Sequence, residues 1–514
     1  MNTLTNPVLR GFYPDPSVCC KGKDYYLVTS TFEFFPAVPV FHSRDLASWE
    51  QVGFCVSEPG IIDLNGARPG KGIYAPTIRY NPYDGYFYMI TVLCHNDRYE
   101  DNEIFYVRAK DPSGPWSGKF VVSDAEGIDP SLFFEDGKAY YVGNLRPDKD
   151  PSSIRRYIWM DEIDLETGKL AGKRTILLKD GAVYGAKCPE GPHIYRFGDY
   201  YYLLIAEGGT ALNHATSVFR SRSIWGPYEN NPRNPILTHR NQAKTSRFNS
   251  IGHADIFQGP DGSFWTCLLG VRPYCDPDLR NIGRETFIAP VIWEDGWPVF
   301  CPDTGKVEET YSMPWKTRRL PKPSFSSFRS GSLESFWQSL RTPSEPVYRL
   351  TGKGLELRIN KYTLQDNYAS AFLGRRQQEE VFAAETAFDF TPRSEKEQAG
   401  VIVMLHNKAY YALQKTIRNG EEILVLSDYE KEIYSRKAPK GTVRVRMMAS
   451  GLDYWFELEA NGKWKRFGPV LDGRQLSKLD KGFTGVLMGL YGTSNGEESD
   501  SKALFHYFSY QDWE

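Results

Sequence analysis

The chain has 514 residues, enough for two or three domains. Its charge is nearly balanced, 62 basic against 64 acidic residues, which excludes a nucleic-acid or anionic-membrane surface and favours a neutral ligand. No run reaches the roughly 18 apolar residues of a membrane-spanning helix, and Met1–Asn6 has neither a basic nor an apolar leader region. The eight cysteines all fall at or before Cys301 without C-x-x-C pairs, so we expect a reduced, cytoplasmic protein in which neighbours such as Cys19 and Cys20 are small buried residues.

From the N-terminus, similar stretches recur. Asp15-Pro16-Ser17-Val18 precedes Gly22 and Tyr25-Tyr26-Leu27, and Ala75-Pro76-Thr77-Ile78 precedes Gly85 and Phe87-Tyr88-Met89. Asp129-Pro130-Ser131-Leu132 leads to Gly137 and Tyr140-Tyr141-Val142, and Gly191-Pro192-His193-Ile194 to Gly198 and Tyr201-Tyr202-Leu203. A weaker fifth copy runs from His253-Ala254-Asp255-Ile256 to Gly262 and Phe264-Trp265. Unit starts are separated by 60, 54, 62 and 62 residues. Apolar strand, glycine turn and aromatic strand make a hairpin, and runs such as Val38–Phe41 and Ile104–Val107 supply further strands. Five such units predict an all-β, five-bladed propeller over residues 1–318.

Equivalent positions in successive blades face one axis, so the repeat would gather Asp15, Asp129 and Glu190 although they are far apart in sequence. A residue before proline is excluded from the helical region, which predicts extended backbone at Asp15 and Asp129, where strands begin. Asp-Pro is also a common turn starter; the shared register of the three acidic sites favours function. Carboxylates on rigid strand ends suit glycosidic bond cleavage, which needs one acid, one base and a group that tunes them. Aromatics at 14% suit β packing first and sugar stacking second.

Prolines 314, 321 and 323 with serines 324, 326, 327 and 330 mark a linker between roughly 312 and 332. Beyond it Leu355–Ile359 and Val443–Met447 alternate as half-buried strands. Asn419-Gly420 and Asn461-Gly462 each sit between strand-like runs, the strongest short-range hairpin signal. Residues 325–514 are therefore expected to form an antiparallel β-sandwich, structural or walling one side of the pocket.

The segments Asn6–Leu9, Gly11–Ser17, Ser30–Pro36, Ile128–Phe133, Glu190–His193, Ala206–Thr210 and Gly283–Thr286, in this order, resemble glycoside hydrolase family 43. The chain is similar nearly end to end to that family's two-domain β-xylosidases and α-L-arabinofuranosidases, whose C-terminal domain is a concanavalin-like sandwich. The resemblance implies hydrolysis with inversion, Asp15 as general base, Glu190 as general acid, and Asp129 as the carboxylate that tunes and orients the acid. It further implies that Arg284 holds substrate hydroxyls and that Phe32 flanks the bound pentose. Tyr74, in Tyr74-Ala75-Pro76, stands where many relatives have tryptophan, an aromatic wall with a hydroxyl added. His253 matches a histidine that in relatives approaches a calcium ion; no carboxylate-rich calcium loop accompanies it, so a structural calcium there is an open alternative, and no cofactor is required for the chemistry. Glu207 is read as structural or as a pocket wall.

The expected activity is exo-hydrolysis of short β-1,4-xylo-oligosaccharides from the non-reducing end, with arabinofuranose release beside it; the expected partner is a small oligosaccharide, not nucleic acid or membrane, and a homo-oligomer stays open. An arabinofuranosidase acting on side chains is the near alternative. A silent sugar-binding propeller is the alternative of another class, disfavoured because all three carboxylates are present.

Overall fold

Each repeat of the sequence folds into one antiparallel sheet, four-stranded in four cases and five-stranded in the fourth repeat, and the five sheets stand around a common axis as blades. The structure is a computed structural model and describes residues 2–183, 185–242, 246–318, 320, 325–477 and 483–513. Blade 1 uses Ser17–Lys21, Asp24–Val28, Ala37–Ser43 and Glu50–Val56; blade 2 uses Gly72–Tyr80, Phe87–Cys94, Glu103–Ala109 and Phe120–Val121. Blade 3 uses Ser131–Glu135, Lys138–Leu145, Tyr157–Glu162 and Thr175–Leu178. Blade 4 uses Glu190–Phe197, Tyr200–Glu207, Ala215–Ser221 and Glu229–Asn230, with Leu237–Thr238 also on its third strand. Blade 5 uses Asn249–Gln258, Phe264–Val271, Arg284–Glu294 and Trp297–Phe300.

The ring is closed by the chain ends of the propeller. Thr3–Thr5 pairs with Thr310–Ser312, and the Asn6 amide donates to the carbonyls of Ile288 and Glu308 while its oxygen accepts from the Ile288 N–H. The region read as a linker is therefore ordered at its start: Met313 is buried and the Trp315 indole donates to the Asp45 carbonyl. Pro321, Pro323 and Ser324 lie outside the described residues.

One polar hub spans four blades. Asp255 of blade 5 takes both guanidinium arms of Arg79 (2.8 and 3.0 Å), the Tyr195 hydroxyl, the Ser17 hydroxyl and the Val18 N–H. A charge with no exposed side-chain surface is stable only when its lone pairs are filled in this way.

The C-terminal half forms two stacked antiparallel sheets with a single apolar core between them, the concanavalin-like sandwich. Both Asn-Gly pairs make the expected hairpins: Asn419 and Asn461 have φ of 49° and 55° and each is followed by a glycine at positive φ, the geometry of a two-residue turn. The two halves share structure. Phe34–Phe35, from a blade 1 loop, extends one sandwich sheet by pairing with Gln338–Leu340. Phe12, Phe32 and Phe34 pack in one cluster with Leu340, Phe372, Ile402 and Leu487 of the sandwich.

Two local expectations are corrected. The backbone at Asp15 and Asp129 is not extended: φ is 55° and 53°, and Gly191 (58°) and His253 (53°) repeat the value at the equivalent position of blades 4 and 5. Aspartate tolerates this left-handed conformation better than most residues, and the hydrogen bonds described below hold it. Cys20 is exposed, because it sits near the solvent end of its strand; all eight cysteines are unpaired.

Candidate active site

The five first strands start at the same end of the propeller, and their leading residues converge there. Asp15 and Asp129 lie just ahead of Ser17 and Ser131, each only 6% exposed. Glu190 is one position off that register, since Gly191 occupies the left-handed site; it pairs with Ala206 and is followed by a register break at Gly191-Pro192. Such a bulge re-aims a side chain. A β-carbon at Gly191 would meet the His253 ring at 3.1 Å, and the Gly191 N–H donates to Asp129 Oδ2 at 3.2 Å, so the glycine also brings the two carboxylate-bearing segments together.

The three carboxyl groups have different environments. Burial would raise Asp15, but the Arg284 guanidinium at 2.9 Å, the neighbouring His253 and the Ser30 hydroxyl at 2.6 Å outweigh it, and its pKa is lowered. Glu190 is pushed up to about 7 by burial and the charge of Asp15, against the pull of Arg156, Arg284 and Arg146. Asp129 is raised well above the ordinary carboxylate range by burial, then by Glu190 and Asp15. One carboxylate is thus held ionised, while the adjoining pair retains a proton towards neutrality.

Arg284 is buried. Its guanidinium donates to Asp15, to the Thr210 hydroxyl (3.0 Å) and to the Phe483 carbonyl (3.3 Å), and lies over the rings of Phe32 and Phe483. Phe32 and Ile73 exchange backbone hydrogen bonds, which sets Phe32 beside Tyr74, ring centroids 4.9 Å apart. Gly72 makes this approach possible: a β-carbon there would meet the Phe32 carbonyl oxygen at 2.2 Å. Phe32 itself is almost fully covered, whereas Phe483 of the sandwich, 5.8 Å from Phe32 and 6.0 Å from Tyr74, remains 39% exposed. The C-terminal domain therefore supplies the open aromatic wall. The Tyr74 hydroxyl donates to the Gly70 carbonyl, so it is spent on the backbone and adds little polarity to the pocket.

His253 sits with Nδ1 3.9 Å from Asp15 Oδ1, and burial lowers its pKa against the opposing pull of Asp15. Among the described residues no group of three or more His, Cys, Asp or Glu is arranged to hold a metal ion. Calcium needs six to eight oxygen ligands. His253 offers nitrogen, and Asp15 is already engaged by Arg284 and Ser30, so these side chains do not form a calcium site of their own.

Residues 4–298 match the model of glycosyl hydrolases family 43, and residues 326–511 match the beta xylosidase C-terminal concanavalin A-like domain. The chain belongs to glycosyl hydrolases family 43. A non-reducing end alpha-L-arabinofuranosidase of Bacteroides ovatus is 37% identical over 99% of this chain and 95% of its own length. A xylosidase/arabinosidase of Butyrivibrio fibrisolvens is 37% identical over the whole of both chains. The crystal structure of xylan beta-1,4-xylosidase from Bacillus halodurans superposes with a TM-score of 0.91 at 29% identity, covering 99% of this chain and 100% of that one.

This family 43 chain is a glycoside hydrolase, and its fold brings together every site residue named from the sequence: Asp15, Asp129, Glu190, Arg284, Phe32, Tyr74 and His253. Glu207 is structural, accepting from the Ala182 N–H and the Ser217 hydroxyl and so pinning the loop before Glu190. Sequence reading missed Ser30 and Thr210, which lie inside the motifs quoted for the resemblance and could have been weighed there. It also missed Arg146, Arg156, Tyr99 and Phe483, which come from loops with no motif around them.

Proposed function

We propose that the enzyme removes terminal xylose from the non-reducing ends of β-1,4-xylo-oligosaccharides with inversion at the anomeric carbon, and also releases terminal α-L-arabinofuranose. The observation that carries this reading is the split protonation of the buried carboxyls: Asp15 lowered by Arg284 and Ser30, Glu190 raised to about 7. A base must be ionised and an acid protonated in the same pH range. In this assignment Asp15 takes a proton from water as that water attacks the anomeric carbon, and Glu190 gives its proton to the departing glycosidic oxygen. Asp129 helps to keep that proton on Glu190 and, through the Gly191 N–H, fixes the segment that carries it. Arg284 holds Asp15 and presents its remaining donors to sugar hydroxyls. Phe32, Tyr74 and Phe483 form the wall that limits the pocket to a terminal sugar.

Similarity to both xylosidases and arabinofuranosidases supports the double specificity, since the two pentoses offer comparable hydroxyl patterns to a small pocket. A preference for arabinofuranose side chains is the second reading. Unpaired cysteines, two of them exposed, support a reducing compartment, and we place the enzyme in the cytoplasm. The chemistry requires no cofactor, and chelation by EDTA is expected to leave kcat unchanged.

Proton NMR of the first product tests the mechanism: α-xylose should appear first from a β-xyloside. Initial β-xylose would require a direct carboxylate nucleophile and would overturn the roles given to Asp15 and Glu190. Rates on matched nitrophenyl xyloside and arabinofuranoside decide between the two sugars.

A further inference from the structure

A pair of guanidinium groups stands beside the proposed acid, close enough for their charges to act on Glu190 but, among the described residues, without a carboxylate in salt-bridge contact. Leu145 and Tyr157 form the last pair of the central blade 3 hairpin, so Arg146 and Arg156 emerge together from its end. That end is the one that carries Asp129, because Ser131 pairs with Val142 and the Ile128 N–H donates to the Asn144 side chain. Tyr99 of blade 2 is clamped between them: its ring centroid lies 3.8 Å from the Arg146 guanidinium and 4.8 Å from that of Arg156, whose Nε donates to the Tyr99 hydroxyl at 3.1 Å. The loop joining the two arginines is tied to the acid's own segment, the Cys188 N–H donating to the Ile154 carbonyl at 2.8 Å.

Arg156 is 4% exposed, yet its Nη1 donates only to carbonyls, those of Ser153 and Arg155. Arg146 donates to the Asp97 carbonyl, and its buried Nε has no hydrogen-bond partner among the described residues. Neither makes a salt bridge within 4.0 Å among the described residues, although the neighbouring Lys71 and Arg68 both pair with Asp97. For Arg156, a buried guanidinium without a carboxylate in direct contact is costly. Its planar donors match a carboxylate, and the clamped Tyr99 ring fixes their orientation.

We propose that Arg146, Tyr99 and Arg156 form the leaving-group side of the pocket and select substrates whose leaving group carries a carboxylate, as a uronic-acid-substituted sugar does. This rests on the reading of Glu190 as the acid, because the group it protonates departs past its own side chain. The arginines bind the leaving group and do not take part in bond breaking.

The test uses the full-length enzyme with two probes, 4-carboxyphenyl β-D-xyloside and its uncharged methyl ester, plus the same pair built on α-L-arabinofuranose. The quantity read is the ratio of kcat/KM for acid over ester, in which differences in Glu190 protonation cancel. Arg146→Gln and Arg156→Gln should each lower the ratio about tenfold, the size of a lost charge-assisted hydrogen bond, and the wild-type ratio should fall as salt is raised. An unchanged ratio in Arg146→Gln, a half-exposed site where the fold is not at stake, would overturn the inference while leaving the glycosidase reading intact. Failure to cleave any of the four probes would instead overturn the reading on which it rests.

Discussion

At Asp15 and Glu190 the same burial has opposite outcomes because the neighbours differ. Asp15 has Arg284 and Ser30, while Glu190 feels Asp15 and draws only partial compensation from Arg156, Arg284 and Arg146. Activity should therefore rise with pH below the ordinary carboxylate range, as Asp15 ionises, and fall through about pH 7, as Glu190 loses its proton. Arg284→Gln removes the group that lowers Asp15 and should move the acidic limb of the pH–kcat/KM profile upward; an unmoved limb would detach Asp15 from the base role. Asp129→Asn removes one of the repelling pair and should move the alkaline limb downward. Asp15→Asn should cost about 100- to 10,000-fold in kcat, the usual contribution of a general base, with binding of xylose retained. Glu190→Ala should damage xylobiose hydrolysis far more than hydrolysis of an activated aryl xyloside, which departs with little protonation. Equal losses on the two substrates would remove Glu190 from the acid role.

At the scale of elements, the propeller is held at its axis by Asp255 as well as by its terminal strands. Burial alone would raise this carboxyl, yet Arg79 above all, then His193 and Tyr195, hold it down to about 2. A depressed folded-state pKa stabilises above the unfolded value near 3.8 and loses that stabilisation as pH falls through about 2. The size is roughly 2 kcal/mol, at 1.36 kcal/mol per unit. Asp255→Asn leaves Arg79 buried without its partner and should cost about 3–5 kcal/mol at neutral pH, as breaking a buried pair does. Urea unfolding at pH 7 and at pH 3 checks both statements: the gap between variant and wild type should narrow at the lower pH. A gap that does not change would mean that Asp255 is not the ionised hub.

Taken whole, the molecule is one folding unit built from two architectures. The cluster around Phe12, Phe32 and Phe34 draws on both halves, and each buried phenylalanine is worth about 1.5–3 kcal/mol. Arg341 of the sandwich is buried against the propeller, its guanidinium donating to the Ala67 carbonyl, and Arg10 pairs with Glu379 across the junction. A fragment ending at residue 318 would expose these groups and should aggregate or fail to bind substrate. The full chain should unfold in a single calorimetric transition; two well-separated transitions would show that the interface contributes little. Phe483→Ala tests the same junction at the pocket and should raise KM for xylobiose more than it lowers kcat.

How much of this could be read from the chain alone follows from the range of each signal. The five-fold repeat, its glycine turns, the Asn-Gly hairpins and the acidic residues beside Pro16, Pro130 and Pro189 are local patterns, set by backbone sterics and by alternation of apolar residues. They determined the blades, the sandwich and the positions of Asp15, Asp129 and Glu190. The left-handed backbone at Asp15 and Asp129 was not legible, because the pre-proline preference is a statistical bias that the Ser30, Arg284 and Gly191 hydrogen bonds override. The placement of Phe483, Arg146, Tyr99 and Arg156 was not legible either: each lies in a loop whose sequence carries no periodicity. Only the closure of the ring and the docking of the sandwich set those loops around one cavity. The protonation split between Asp15 and Glu190 was also decided there, since a pKa depends on which charges and how much water surround a carboxyl, and folding alone fixes both.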